Sequence, residues 1–169
     1  MKTVEVTTLI ANELANVVAD MAPNWQNLSV GPNISEAEFF AQTVPDVEVY
    51  KKNAGQPSLL VTPLDFHHQM PRLKRVAEMA GAREVKNHCV YLPQTMMPFH
   101  TNRDEPGLRT YFTHTLGKAY FRWMDQEGNM HVEEDGIGWT GRQFDVSADY
   151  PMWHSIWTEK TRFSFGFLS

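Results

Sequence analysis

At 169 residues, with 42% apolar and 21% charged side chains, the chain has the length and composition of a globular protein that buries a core without covalent staples. Its net charge of −5, with acidic and basic residues interspersed, gives no electrostatic ground for nucleic acid or an anionic membrane as partner. Cys89 is the single cysteine, which excludes an intramolecular disulfide and a cysteine-rich zinc site. The opening Met1-Lys2-Thr3-Val4-Glu5-Val6 holds no continuous apolar run, and no later run approaches membrane-spanning length, so the expected setting is cytoplasmic.

One domain over 1–169 is expected, with helical support and connecting segments in 1–84 and a jelly-roll core in 85–169. Leu9, Ile10, Leu14, Val17, Val18 and Met21 recur at three- and four-residue steps, which predicts an amphipathic helix ended by Pro23. Ser35 followed by Glu38 has the form of a capping box and predicts a short helix through Phe39 and Phe40. A third helix is expected from about Pro71 to Ala80, with Leu73, Val76, Ala77 and Ala80 inward and Gly81 ending it. The prolines between them suggest loops and short strands at 47–50 and 59–61.

From residue 85 the apolar period changes from helical to two. Strands are expected at 87–92, 98–102, 108–115, 118–124, 129–134, 142–146, 152–158 and 161–167, separated by turn signals such as Pro106-Gly107, Glu127-Gly128-Asn129 and Asp149-Tyr150-Pro151. Many short strands at this spacing read as a sandwich or jelly roll, and thus as a mainly β, α+β fold. Cys89 reads as a strand thiol of the core and Glu133-Glu134-Asp135 as a solvated strand end. His67, His68, His88, His114 and His131 read as ordinary polar groups.

Alternation assigns faces. Phe163, Phe165 and Phe167 point one way, toward the N-terminal helices, while Arg162 and Ser164 point into the barrel. His154 and Ile156 share a face, and His100 and Asn102 share one if their segment is extended. A buried arginine is costly without an anion. No carboxylate is evident for Arg162 in its own hairpin, so a ligand carboxylate, bound by the guanidinium fork with help from Ser164, would answer it. Arg109, on one face with Tyr111, is either a second anion contact or part of a surface pair. Two histidines and an oxygen donor have the form of a facial metal triad.

The ordered set His100-Thr101-Asn102, Arg109, Phe144-Asp145, Trp153-His154-Ser155 and Arg162-Phe163-Ser164 resembles the iron(II)- and 2-oxoglutarate-dependent oxygenase superfamily, whose fold is the double-stranded β-helix. Its pattern is H-x-D/E, a distal His, then R-x-S on the next strand, and it spans roughly 88–167. The resemblance implies iron bound by His100 and His154, and 2-oxoglutarate held by Arg162 with Ser164 and Tyr91. It implies a hydroxylase, expected to act on a small molecule or peptide. Charge, motifs and hydropathy point to neither nucleic acid nor membrane as partner, and the sequence is compatible with a homo-oligomer. Asn102 stands where the family carries Asp or Glu. An amide oxygen binds iron(II) without contributing charge, so weaker binding is expected, with Asp104 or Glu105 as alternative donors. Two other readings use the same fold: a non-catalytic binding or structural protein with a degenerate metal site, and a cupin-type metal enzyme that needs no Arg162 anion site. Pocket walls are expected from the loops at 45–70, 103–107 and 135–142.

Overall fold

The computed structural model describes residues 1–25, 33–45, 61–63, 67–101, 106–147 and 152–169. The expected strand at 47–50 and turn at 149–151, together with Asn102, Asp104 and Glu105, lie outside them.

Among the described residues, three α-helices precede the β-rich half. Helix α1 (Thr8–Trp25) turns Ile10, Leu14, Val17 and Met21 inward, while Leu9, one position off that stripe, is exposed. It runs two residues past Pro23: a proline lacks its own N–H and clashes one turn back, which limits continuation without fixing the last residue. Helix α2 (Glu36–Ala41) opens on the expected capping box, with Ser35 Oγ accepting from Glu38 N and Ser35 N donating to Glu38. Helix α3 (Met70–Met79) buries Leu73, Val76 and Ala77, and the chain leaves it through Gly81 at φ 68°, a left-handed conformation that suits glycine.

The strands are β1 (Lys2–Val4), β2 (Val61–Pro63), β3 (Glu84–Tyr91), β4 (Thr95–His100), β5 (Gly107–Thr115), β6 (Ala119–Met124), β7 (Met130–Asp135), β8 (Gly138–Val146), β9 (His154–Thr158) and β10 (Arg162–Leu168). One sheet has the order β1-β8-β5-β10-β3-β2 and the other β4-β9-β6-β7, all pairs antiparallel. From β3 onward the chain passes back and forth between the sheets, the wrapping of a jelly roll. The fold is α+β, dominated by antiparallel sheets and supported by N-terminal helices. Each of the eight strands expected after residue 85 has its counterpart, displaced by a few residues at the ends.

The larger sheet uses both faces. Outward, Phe112, Phe163, Phe165 and Phe167 bury against Ile10, Leu14 and Val17 of α1 and Leu73 and Val76 of α3. Each buried phenylalanine contributes roughly 1.5–3 kcal/mol, so this layer fastens the helices to the barrel. Inward, Tyr91, Phe144 and Val146 join Phe121 and Ile156 of the smaller sheet around a cavity. Among the described residues, no helix is long and apolar enough to cross a membrane.

Candidate functional site

The cavity occupies about 340 Å³ between the two sheets. Among the described residues its walls come from the inward faces of strands, with β8 contributing Arg142, where the expected loop at 135–142 meets the expected strand at 142–146, and Phe144. Two histidines stand on the smaller sheet and two arginines on the larger one.

A local irregularity places the first histidine. Met97 pairs with Ile156 and His100 with His154, so Pro98 and Phe99 oppose Ser155 alone. Proline cannot donate to a strand ladder and is tolerated at an edge or a bulge; β4 is an edge strand, and Pro98 lies within its bulge. The extra residue reverses the alternation, so Met97 and His100, three positions apart, both face the cavity.

The His100 and His154 rings lie 4.1 Å apart between centroids. His100 Nδ1 is 2.9 Å from the carbonyl of Pro98, and His154 Nδ1 is 3.0 Å from that of Met152. A carbonyl only accepts, so each Nδ1 carries the hydrogen and each neutral ring keeps its lone pair on Nε2. Burial lowers the pKa of both rings, and the neighbouring His100 lowers that of His154 further. Both are therefore neutral at pH 7, the state in which imidazole binds a metal. Phe121 stacks on His154 at 5.5 Å and Phe144 lies 5.8 Å away, which holds the ring in place. The donor set fits a metal at these two nitrogens. No cluster of three His, Cys, Asp or Glu occurs among the described residues, and Asn102 is not one of them.

On the larger sheet Arg162 pairs in register with Tyr91, and its guanidinium carbon sits 5.1 Å from the Tyr91 ring centroid. Ser164 follows on the same inward face. The carboxylate that meets Arg162 comes from outside its own hairpin, on β7: Arg162 Nε donates to Asp135 Oδ2 at 2.9 Å. Asp135 also contacts Arg142 Nη1, while Arg142 Nε donates to Glu133 at 3.0 Å. Asp135 is therefore not part of a solvated strand end. Its register with Ala119, two residues before cavity-lining Phe121, turns it inward, and it is 1% exposed. Burial works to raise its pKa, but the charges and hydrogen bonds of Arg162 and Arg142 outweigh burial and hold it below the usual carboxylate range.

Arg162 Nη1 is buried and has no hydrogen-bond partner among the described residues. With Ser164 beside it, this donor fits a carboxylate. Tyr91 stays a protonated phenol, since burial raises its pKa well above the ordinary value. Cys89 is half-buried and lines the cavity; burial pushes its thiol up to about 11, which leaves no thiolate nucleophile at neutral pH. Arg109 shares the face of Tyr111 on β5 and is 1% exposed, but it lies beyond the cavity wall.

Sequence reasoning thus missed Arg142 and Asp135. A signal existed for Arg142, since it shares the inward face of β8 with Phe144 just as Arg162 shares that of β10 with Ser164. Nothing in one sequence shows that a carboxylate on β7 lies between them.

No protein-family model matches the chain, and no curated protein matches it. Among solved structures, a Pseudomonas putida prolyl-4-hydroxylase aligns over 95% of this chain and 86% of its own, at 12% identity and a TM-score of 0.48. The Drosophila melanogaster CENP-C cupin domain aligns over 48% of this chain and 58% of its own, at 13% identity and a TM-score of 0.38. Peruvianin-I, a cysteine peptidase from Thevetia peruviana latex, aligns over 49% and 48%, at 20% identity and a TM-score of 0.36. The chain spans about half the length of these last two proteins.

Proposed function

We propose that the chain is an iron(II)- and 2-oxoglutarate-dependent oxygenase, a hydroxylase of a small molecule or peptide. The observation that supports this most is one cavity with two opposed neutral histidines on one wall and a buried arginine with an unused N–H on the other. His100 and His154 would hold iron through Nε2, with the segment at Asn102 supplying a third donor. Iron(II) together with 2-oxoglutarate supplies dioxygen activation, coupled to loss of carbon dioxide and release of succinate. The chain's own residues position and shield. Arg162 Nη1 and the Ser164 hydroxyl take the far carboxylate of the co-substrate, and the Tyr91 ring packs against the guanidinium. Phe121, Phe144 and Ile156 line the cavity beside the histidines and keep water from them.

Anaerobic titration with iron(II), with and without 2-oxoglutarate, tests the reading. Saturable iron binding and a weak visible charge-transfer band that appears only with the co-substrate are expected. Absence of the band on iron-loaded protein would overturn it. One observation favours a second reading, a non-catalytic jelly-roll binding protein: Asp135 already supplies Arg162 with an anion from within the chain. Saturable iron binding in the same titration counts against that reading.

A further inference from the structure

Arg142 on β8 and Arg162 on β10 approach one carboxylate from two sides. Arg162 Nε donates to Asp135 Oδ2 at 2.9 Å, and Arg142 Nη1 meets Oδ1. The side chains are nearly sealed, with Arg142 4%, Arg162 2% and Asp135 0% exposed. Two cations and one anion leave this buried group with one uncompensated positive charge. Glu133 also accepts from Arg142, but it is 40% exposed, where water and salt screen its charge. A buried excess cation is costly unless a further anion meets it, and both arginines line the cavity.

We infer that Arg142 is a positioning residue for anion binding: by sharing Asp135 it leaves Arg162 incompletely neutralised, so this wall takes one carboxylate of a small dicarboxylic acid. Without Arg142, Asp135 and Arg162 would form a closed ion pair with no charge to offer a ligand. With it, the Asp135 bond uses only Nε of Arg162, and Nη1 is held ready at the cavity wall. This deepens the oxygenase reading, on which the choice of 2-oxoglutarate rests.

The test uses the full chain loaded with manganese(II) and follows 2-oxoglutarate and succinate binding by calorimetry and by the rise in Tm each acid produces. Arg142→Gln is expected to weaken both acids about tenfold or more, because Asp135 then neutralises Arg162 alone. Manganese binding at the histidines should not change. Asp135→Asn combined with Arg142→Gln restores the group's net charge and is expected to return most of the lost affinity. Arg142→Lys, which keeps the charge if the glutamine variant does not fold, should bind nearly as the wild type does. Wild-type affinity in folded Arg142→Gln would overturn the inference and leave the oxygenase reading standing. So would a double variant no tighter than the single one, or a lysine variant as weak as glutamine. Arg142-dependent binding of succinate but not of 2-oxoglutarate supports the role of Arg142 and sinks the oxygenase reading. Binding of neither acid to the wild type overturns both.

Discussion

His100 and His154 are bound by the same local device: each ring gives Nδ1–H to the carbonyl two residues before it, Pro98 in one case and Met152 in the other, and the two rings meet at 4.1 Å. The hydrogen bonds fix both tautomers, as outer-shell carbonyls commonly do for metal-binding histidines. The outcome is two Nε2 lone pairs held side by side on adjacent strands before any metal arrives.

His154→Ala should therefore abolish saturable iron(II) or manganese(II) binding, since one imidazole is too few to hold the ion. Asn102→Asp should raise iron affinity by adding a charged oxygen donor, on the order of tenfold, if this segment supplies the third ligand. Calorimetric titration of each variant, with circular dichroism to confirm folding, gives both answers. An affinity unchanged in Asn102→Asp would move attention to Asp104.

Arg162→Leu is expected to eliminate 2-oxoglutarate binding while the histidine pair still takes metal. It should also destabilise the fold, but by less than the roughly 3–5 kcal/mol of a charge left wholly unpaired, because Asp135 keeps Arg142. Arg162→Lys should recover stability better than ligand binding, since an ammonium cannot reproduce a two-pronged contact. Urea unfolding and calorimetry separate the two effects.

Asp135 makes stability depend on pH in a defined direction. Burial alone would raise its pKa, but the two guanidiniums outweigh burial and its folded value lies below the ordinary one. A depressed folded pKa contributes stability that is present in full above the unfolded value, about 3.9, and lost as pH falls through the folded one. Asp135→Asn should lower the urea midpoint at neutral pH, and its deficit relative to wild type should shrink below about pH 4. A deficit that stays constant from pH 7 to the acid limit would show that the carboxylate charge is not what matters.

Gly166 pairs with Tyr111 of β5 on one side and lies opposite the bulge of β3 on the other. A Cβ there would lie 2.6 Å from Tyr111 Cε1 and 2.8 Å from the Asn87 carbonyl, and the carbonyl is backbone that cannot swing aside. Gly166→Ala should cost about 1–3 kcal/mol in denaturant unfolding and displace Tyr111 from the cavity wall. An unchanged midpoint would mean that the β3 bulge gives way freely.

Local chemistry alone made much of this protein legible. The three- and four-residue apolar steps at Ile10, Leu14 and Val17, the Ser35–Glu38 capping box and the change to a period of two after residue 85 each depend on neighbours along the chain. So does the division of β10 into a phenylalanine face and an Arg162/Ser164 face, because alternation is a property of the extended backbone itself. What the tertiary structure decided lies where strands meet. The bulge at Pro98 and Phe99 turns His100 inward only because β4 pairs with β9 in that register, and no periodicity within β4 announces it. Asp135 reads along its own strand as one more acid after Glu133 and Glu134. It becomes the buried partner of Arg142 and Arg162 because the barrel wraps β7 against the larger sheet, and electrostatic pairing between strands of different sheets is fixed by the closed fold alone.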